Sequence, residues 1–221
     1  MCFSPEASFA GGIIILSIGV ITITKVHKRS QIVFASIPLF FGIQQIVEGL
    51  LWLTLLHPDH NQIQKAATYT FMVMAEVLWP MIIPLTVLFM EENPKRKKVL
   101  WTLLFVGMAL SLYYSYCLVC YSVTPRINGF HIKYYNNFPK SLAMVAFTLY
   151  VIVTITPLFI SSIKRTHIMG TIMFLSCLVT GIFYTQYLTS VWCFFAAMMS
   201  CVIFWILRDA RRKFRLGKIS I

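Results

Sequence analysis

The stretch QIVFASIPLFFGIQQIVEGLLWLTLL, residues 31–56, decides the fold class. It contains one ionisable residue, Glu48, and no Lys or Arg. A hydrocarbon core about 30 Å thick is crossed by about 20 apolar residues in a helix, so this run has spanning length. Six further runs of that kind are readable, at about 7–26, 66–90, 99–122, 141–163, 168–187 and 191–207, the last close to the minimum. The composition agrees: 58% of the 221 residues are apolar and only 12% charged, and mean hydropathy is +0.77. A soluble domain carries about twice that share of charge. The expected fold is all-α, a polytopic transmembrane helical bundle of seven spans in one domain, 1–207, followed by a basic tail, 208–221.

The net charge of +12 suggests nucleic acid in a soluble protein. Here the basic residues sit in short clusters between apolar runs, without an aromatic platform or a folded domain to present them, so no nucleic-acid partner is expected. The clusters report topology instead. Of the 19 Lys and Arg, 15 fall after the first, third, fifth and seventh runs. The positive-inside rule then places the N-terminus outside and the C-terminus in the cytoplasm. The first run has Lys25, Lys28 and Arg29 after it and no basic residue before it, the reverse of a secretory signal, so it is read as a retained span. Ser4, Pro5 and Glu6 suit the cap, first position and first turn of its helix.

Five of the seven acidic residues, Glu6, Asp59, Glu91, Glu92 and Asp209, belong to ends or loops. Glu48 and Glu76 lie inside spans, where an ionisable group costs at least about 2.5 kcal/mol and normally faces a partner, a cavity or the bundle interior. Counted from the outer ends of their runs they sit about 12 and about 15 Å deep, so adjacent antiparallel helices would bring them to one level. Gln44 and Gln45 lie one turn inward of Glu48 and Trp52 one turn outward; Tyr69, Met72, Glu76, Trp79 and Pro80 form a comparable stripe. Pro80 and Pro84 cannot donate backbone hydrogen bonds, which frees carbonyls near Ala75, Glu76 and Pro80 and kinks the helix beside Glu76.

The functional reading is a polar pocket open to the outside, in which Glu48 and Glu76 take a proton, a cation or an unknown small ligand, with Gln44, Gln45, Trp52 and Trp79 lining it. The bland reading is two neutral carboxyls that hold helices together. Of the cysteines, Cys117 and Cys120 form a Cys-x-x-Cys better read as two buried thiols than as a redox pair. Cys2 would become N-terminal on loss of Met1 and is a candidate reactive thiol, while Cys177, Cys193 and Cys201 read as small apolar residues. His57, His60 and Asp59 with His131 are better read as solvated loop residues than as a metal site, so no metal is expected. Tyr113, Tyr114, Tyr116, Tyr134, Tyr135, Tyr184, Tyr187 and Trp192 fall where an outer aromatic belt belongs.

Met1-Cys2-Phe3-Ser4, with Glu48-Gly49-Leu50-Leu51-Trp52, Trp79-Pro80 and Pro84, resembles a family of bacterial multispanning membrane proteins of unknown function. The resemblance covers the first three spans. It implies a polytopic fold in a bacterial inner membrane and directs interest to Cys2, Glu48, Trp52 and Trp79. The last span has no lysine for retinal, and no span carries the paired histidines of a seven-span zinc hydrolase. Three functions remain on the sequence: a small transporter or ligand-binding protein using the carboxylates, an intramembrane enzyme acting on a lipid or small amide through Cys2 or the carboxylates, and a sensor or assembly partner whose basic tail contacts membrane lipid.

Overall fold

A computed structural model describes residues 4–57, 61–183 and 188–219. The first helix, α1 (Pro5–Ile23), begins as its sequence dictates: Ser4 Oγ accepts the Ala7 N–H at 3.2 Å, and Pro5 takes the first position, where no donor is needed. A short 3₁₀ turn, Arg29–Gln31, leads into α2 (Ile32–Leu56). Next come α3 (Asn61–Met90) and α4 (Pro94–Cys120), the latter capped by Asn93 Oδ1, which accepts from the Lys95 N–H at 2.9 Å. Three more helices complete the bundle: α5 (Lys140–Ile160), α6 (Lys164–Phe183) and α7 (Leu188–Ile219).

Among the described residues, the segments Pro5–Ile23, Arg29–Leu56, Asn61–Met90, Pro94–Cys120, Lys140–Ile160 and Lys164–Phe183 are long and apolar enough to cross a membrane. The protein is therefore an α-helical membrane protein. Helix α7 packs along α1, α2 and α6. It continues without a break through Arg208 to Ile219, so the residues read as a tail prolong the last helix. Helix α3 likewise starts before the apolar run at 66, because backbone hydrogen bonding carries on into the polar, mostly exposed flank Asn61–Lys65.

The most extensive helix pair is α1 with α2. A Cβ on Gly19 or on Gly42 would lie 2.9 Å from the backbone nitrogen of Leu39 or Leu16, respectively. The two backbones are in contact, as small residues allow between helices that gain nothing from leaving lipid.

The connection after α4 contains an antiparallel hairpin, β1 (Val123–Asn128) and β2 (His131–Asn136), with Asn128 opposite His131. Its two-residue turn opens with Gly129 at φ 61°, a value glycine takes without strain. The alternation Val-Thr-Pro-Arg-Ile faced by His-Ile-Lys-Tyr-Tyr buries Val123 and Ile132. Ile132 packs with Leu51, Trp52 and Ala67, and Tyr134 stacks on Phe71 at 5.1 Å, so the hairpin sits over α2 and α3.

At the opposite end, the α1–α2, α3–α4 and α5–α6 connections meet the end of α7. Lys28 pairs with Glu92 at 3.2 Å and Arg165 with Asp209 at 2.9 Å. Arg211 donates to the Thr24 carbonyl, and Arg96 donates to the Ile160 carbonyl at 3.0 Å. Glu91, although 2% exposed, accepts from the Ser162 N–H and Oγ–H, each at 2.6 Å, and from the N–H groups of Glu92 and Asn93. Burial opposes ionisation of Glu91, but these four donors outweigh it and hold the carboxyl below the ordinary range. It ties the α3–α4 turn to the α5–α6 turn.

Candidate intramembrane polar site

Helix α3 is not kinked by a simple break at its prolines. It is α-helical over Asn61–Met72, π-helical over Val73–Leu78 and α-helical again over Trp79–Met90. In an i→i+5 pattern the donor for the Ala75 carbonyl would be residue 80, and Pro80 has none. Tyr150 on α5 fills the vacancy: its hydroxyl donates to the Ala75 carbonyl at 2.6 Å. Ser111 on α4 donates to the Val77 carbonyl, also at 2.6 Å. The carbonyl of Pro80, denied its i+4 donor by Pro84, is covered by Gly107 of α4, where a Cβ would come within 2.0 Å of that oxygen. Two neighbouring helices thus stabilise the π turn that presents Glu76.

Gln44 and Trp79 fix the register of α2 against α3. Trp79 Nε1 donates to Gln44 Oε1 at 3.1 Å, and the indole stacks on Phe41 with centroids 4.1 Å apart. One turn towards the hairpin from that bond lie Glu48 on α2 and Glu76 on α3, which are therefore at the same depth. Their surroundings differ. Glu48 is fully buried and accepts from Gln45 Nε2 at 3.4 Å. Glu76 lies within electrostatic range of Tyr113, Tyr114 and Cys117 on α4. Its Oε2 is enclosed and has no hydrogen-bond partner. The extra residue in the π turn rotates Glu76 around its helix towards α4, where those three side chains stand.

Gln44, Gln45, Glu48, Trp52 and Trp79 are all buried, and Trp52 lies in one apolar cluster with Ile132 of the hairpin. Where the sequence suggests a pocket open to the outside, the described residues enclose these side chains beneath a β-hairpin. Two further polar atoms, Gln45 Oε1 and Trp52 Nε1, are buried there without a partner. In the bundle interior a cavity of about 30 Å³, the size of one water, is lined by Phe41, Trp79, Tyr150, Thr154 and Trp192 among others.

Several residues assigned to an outer aromatic belt instead face inward. Trp192 is 8% exposed and stands edge-on to Tyr150 at 5.5 Å, and Tyr150 is edge-on to Tyr114 at 6.4 Å. Tyr116 and Tyr135 are exposed, as a belt requires. The sequence reading missed Tyr150, Ser111 and Gly107; only the two prolines, by announcing carbonyls in want of partners, hint that such residues must exist on adjacent helices.

Cys117 is buried, Cys120 exposed, and both are free thiols, as are Cys177 and Cys201. Cys2, Asp59, His60, Tyr184 and Tyr187 lie outside the described residues, as does the side chain of Cys193. His57 ends α2, and His131 opens β2, where burial holds its imidazole below the ordinary value. Among the described residues no three His, Cys, Asp or Glu side chains gather as a metal site.

Fold and site define a multispanning helical membrane protein with two ionisable groups, Glu48 and Glu76, set within its apolar helices. The chain belongs to the family of unknown function DUF6629, matched over residues 1–216. That match takes in the first six helices and all but the last three residues of α7, and agrees with the resemblance carried by the opening residues and by Glu48–Trp52. No curated protein and no solved structure matches the chain.

Proposed function

We propose that the chain crosses a bacterial inner membrane seven times, with α7 as the last span, its N-terminus outside and its C-terminus in the cytoplasm, and that it is a small transporter or ligand-binding protein. Glu48 and Glu76 are its proton or cation sites, and Gln44, Gln45, Trp52 and Trp79 hold them in place. The observation that carries this reading is Glu76 Oε2, enclosed without a partner in a π turn at the depth of Glu48. A group serving only as glue between helices would be bonded, because an unmet buried polar atom costs about 1–3 kcal/mol. π turns are frequent at functional sites, where they re-aim a side chain. The gathering of basic residues at the end opposite the hairpin supports the orientation.

The test places Cys at Glu48 or at Glu76 in a chain lacking native cysteines and adds a membrane-impermeant maleimide from the hairpin side. Ile37→Cys, buried in the apolar core, sets the background rate. Labelling well above that rate is expected, since a transport or binding site must be reached by water at least transiently. Protection equal to Ile37→Cys, in protein shown to be folded and inserted, would refute the reading and leave a dry structural pair.

A further inference from the structure

At the basic end of the bundle two cavities of about 370 and about 240 Å³ adjoin one another. They share Gln31, Met90 and Ile163, and so form one vestibule bounded by the ends of α1, α2, α3, α5, α6 and α7. Lys28, Lys164 and Arg165 line it, opposed by Glu92 and Asp209.

The balance of charge there is positive and adjustable. Asp209 is committed to Arg165 at 2.9 Å. Glu92 faces Lys28 at 3.2 Å, but the two side chains are 84% and 57% exposed. A pair that open is worth at most about 1 kcal/mol and yields readily to another anion. Lys164 takes part in neither pair. The third acid of this end, Glu91, is spent on Ser162 and on its own turn. Desolvation, then Lys28 and Arg211, hold His27 below its ordinary value, so the surplus charge comes from Lys and Arg and persists at neutral pH.

The helix ends add no net charge of their own: α2 and α6 start at the vestibule while α1, α3 and α5 end there, so their dipoles oppose one another. The positive balance rests on the side chains. The remaining wall is apolar: Met90 and Ile163, with Ile206 and Leu207 of α7. A space at the ends of the spans, cationic on one side and greasy on the other, suits an anion attached to an apolar body.

We infer that this vestibule binds a phosphate group, carried either on a membrane lipid or on a small soluble molecule, with Lys28, Lys164 and Arg165 as its cationic ligands. The inference is independent of the carboxylates at mid-membrane.

The full chain in nanodiscs of phosphatidylcholine is titrated with inorganic phosphate and, separately, with short-chain phosphatidylglycerol, and binding is read by native mass spectrometry. Lys28→Gln with Lys164→Gln, both at exposed positions, weakens binding about fivefold per lysine, the effect of about 1 kcal/mol each. Lys97→Gln with Lys98→Gln, exposed on α4 outside the vestibule, leaves it within about twofold. Glu92→Gln removes the competing carboxylate and tightens binding. Capture of phosphatidylglycerol but not of phosphate assigns the site to a lipid headgroup; equal capture of free phosphate assigns it to a soluble ligand. If neither binds, or if the α4 pair weakens binding as much as the vestibule pair, the positive end is a diffuse charged surface and the inference fails.

Discussion

Replacing Gly107 with alanine tests whether the π turn of α3 depends on the close approach of α4. The new Cβ would lie 2.0 Å from the Pro80 carbonyl oxygen, and a relaxed carbon–oxygen contact needs about 3.3 Å. Helix α4 or the turn must therefore shift by about 1.3 Å, and the obstacle is backbone, which cannot rotate aside. A shift of that size stretches the 2.6 Å bond from Ser111 to the Val77 carbonyl, one turn along α4, beyond hydrogen-bonding range. Overpacking at the upper end of its usual range costs about 3 kcal/mol and the lost bond about 1, offset by about 1 from alanine's better helix propensity. The net, about 3 kcal/mol, lowers Tm by about 6–12 °C in a chain of this size. The assay is thermal melting of purified protein in one detergent, with Gly181→Ala as control, because nothing lies within 4 Å of a Cβ there. Ser111→Ala supplies a double-mutant cycle: once Gly107→Ala has broken the Ser111 bond, losing the hydroxyl adds little. Equal Tm values for Gly107→Ala and wild type, or full additivity with Ser111→Ala, would sink the close-approach argument.

Tyr150→Phe removes the donor to the Ala75 carbonyl and costs about 1–3 kcal/mol; an unchanged melting point would mean that the π turn finds another partner. Gln44→Leu strands Trp79 Nε1 and costs a similar amount, about 1–3 kcal/mol by the same measurement, and Trp79→Phe, which leaves a cavity in either background, should cost less in the Gln44→Leu protein than in wild type. Glu91 governs the acid limb. Its folded pKa is depressed, so the unfolded state takes up protons first, and its contribution is complete above the unfolded value of about 4.3 and lost as pH falls through the folded one. Melting curves from pH 7 downward should show Glu91→Gln less stable than wild type at neutral pH and the gap closing below pH of about 4; a constant gap would remove the role assigned to its charge.

The sequence made the helices legible because lipid imposes a length and a polarity on every span, so 31–56 is recognisable without knowledge of its neighbours. It also exposed Glu48 and Glu76, since a charge in an apolar run stands out by itself. The hairpin was harder to see: Val123–Asn136 alternates over only six residues a strand and is interrupted by Pro125, so its pattern does not separate from a polar loop. The π turn was half visible. Pro80 and Pro84 announce unpaired carbonyls, but a kink and a π turn satisfy that shortage differently, and the choice rests on Tyr150, Ser111 and Gly107, residues 27 to 75 positions away in sequence from the atoms they serve. Contacts between spans are set by which faces meet, and hydropathy carries no record of that.

The polar site and the basic vestibule are separated by a layer that bears on both proposals. Phe34 and Val87 are fully buried, with Leu158, Met169 and Ile203 at most 1% exposed. By register these residues lie between Gln44–Trp79 on one side and Gln31–Met90 on the other. A solute cannot pass from one compartment to the other through such packing without displacing an apolar side chain at a cost of several kcal/mol. Transport along the bundle axis would require a segment to move as a unit, and the π turn marks where α3 divides into two straight parts. The part beyond its π turn, Trp79–Met90, contributes Val87 to the layer and Met90 to the vestibule, and is joined to Asn61–Met72 through a π turn to which Tyr150 and Ser111 also donate. A movement about that turn would shift Glu76 and Val87 together, coupling the state of the carboxyl to the seal. A protein that only binds a ligand at either end has no need of that link, so a crosslink fixing α3 to α4 across the turn should abolish transport while leaving phosphate binding at the vestibule intact.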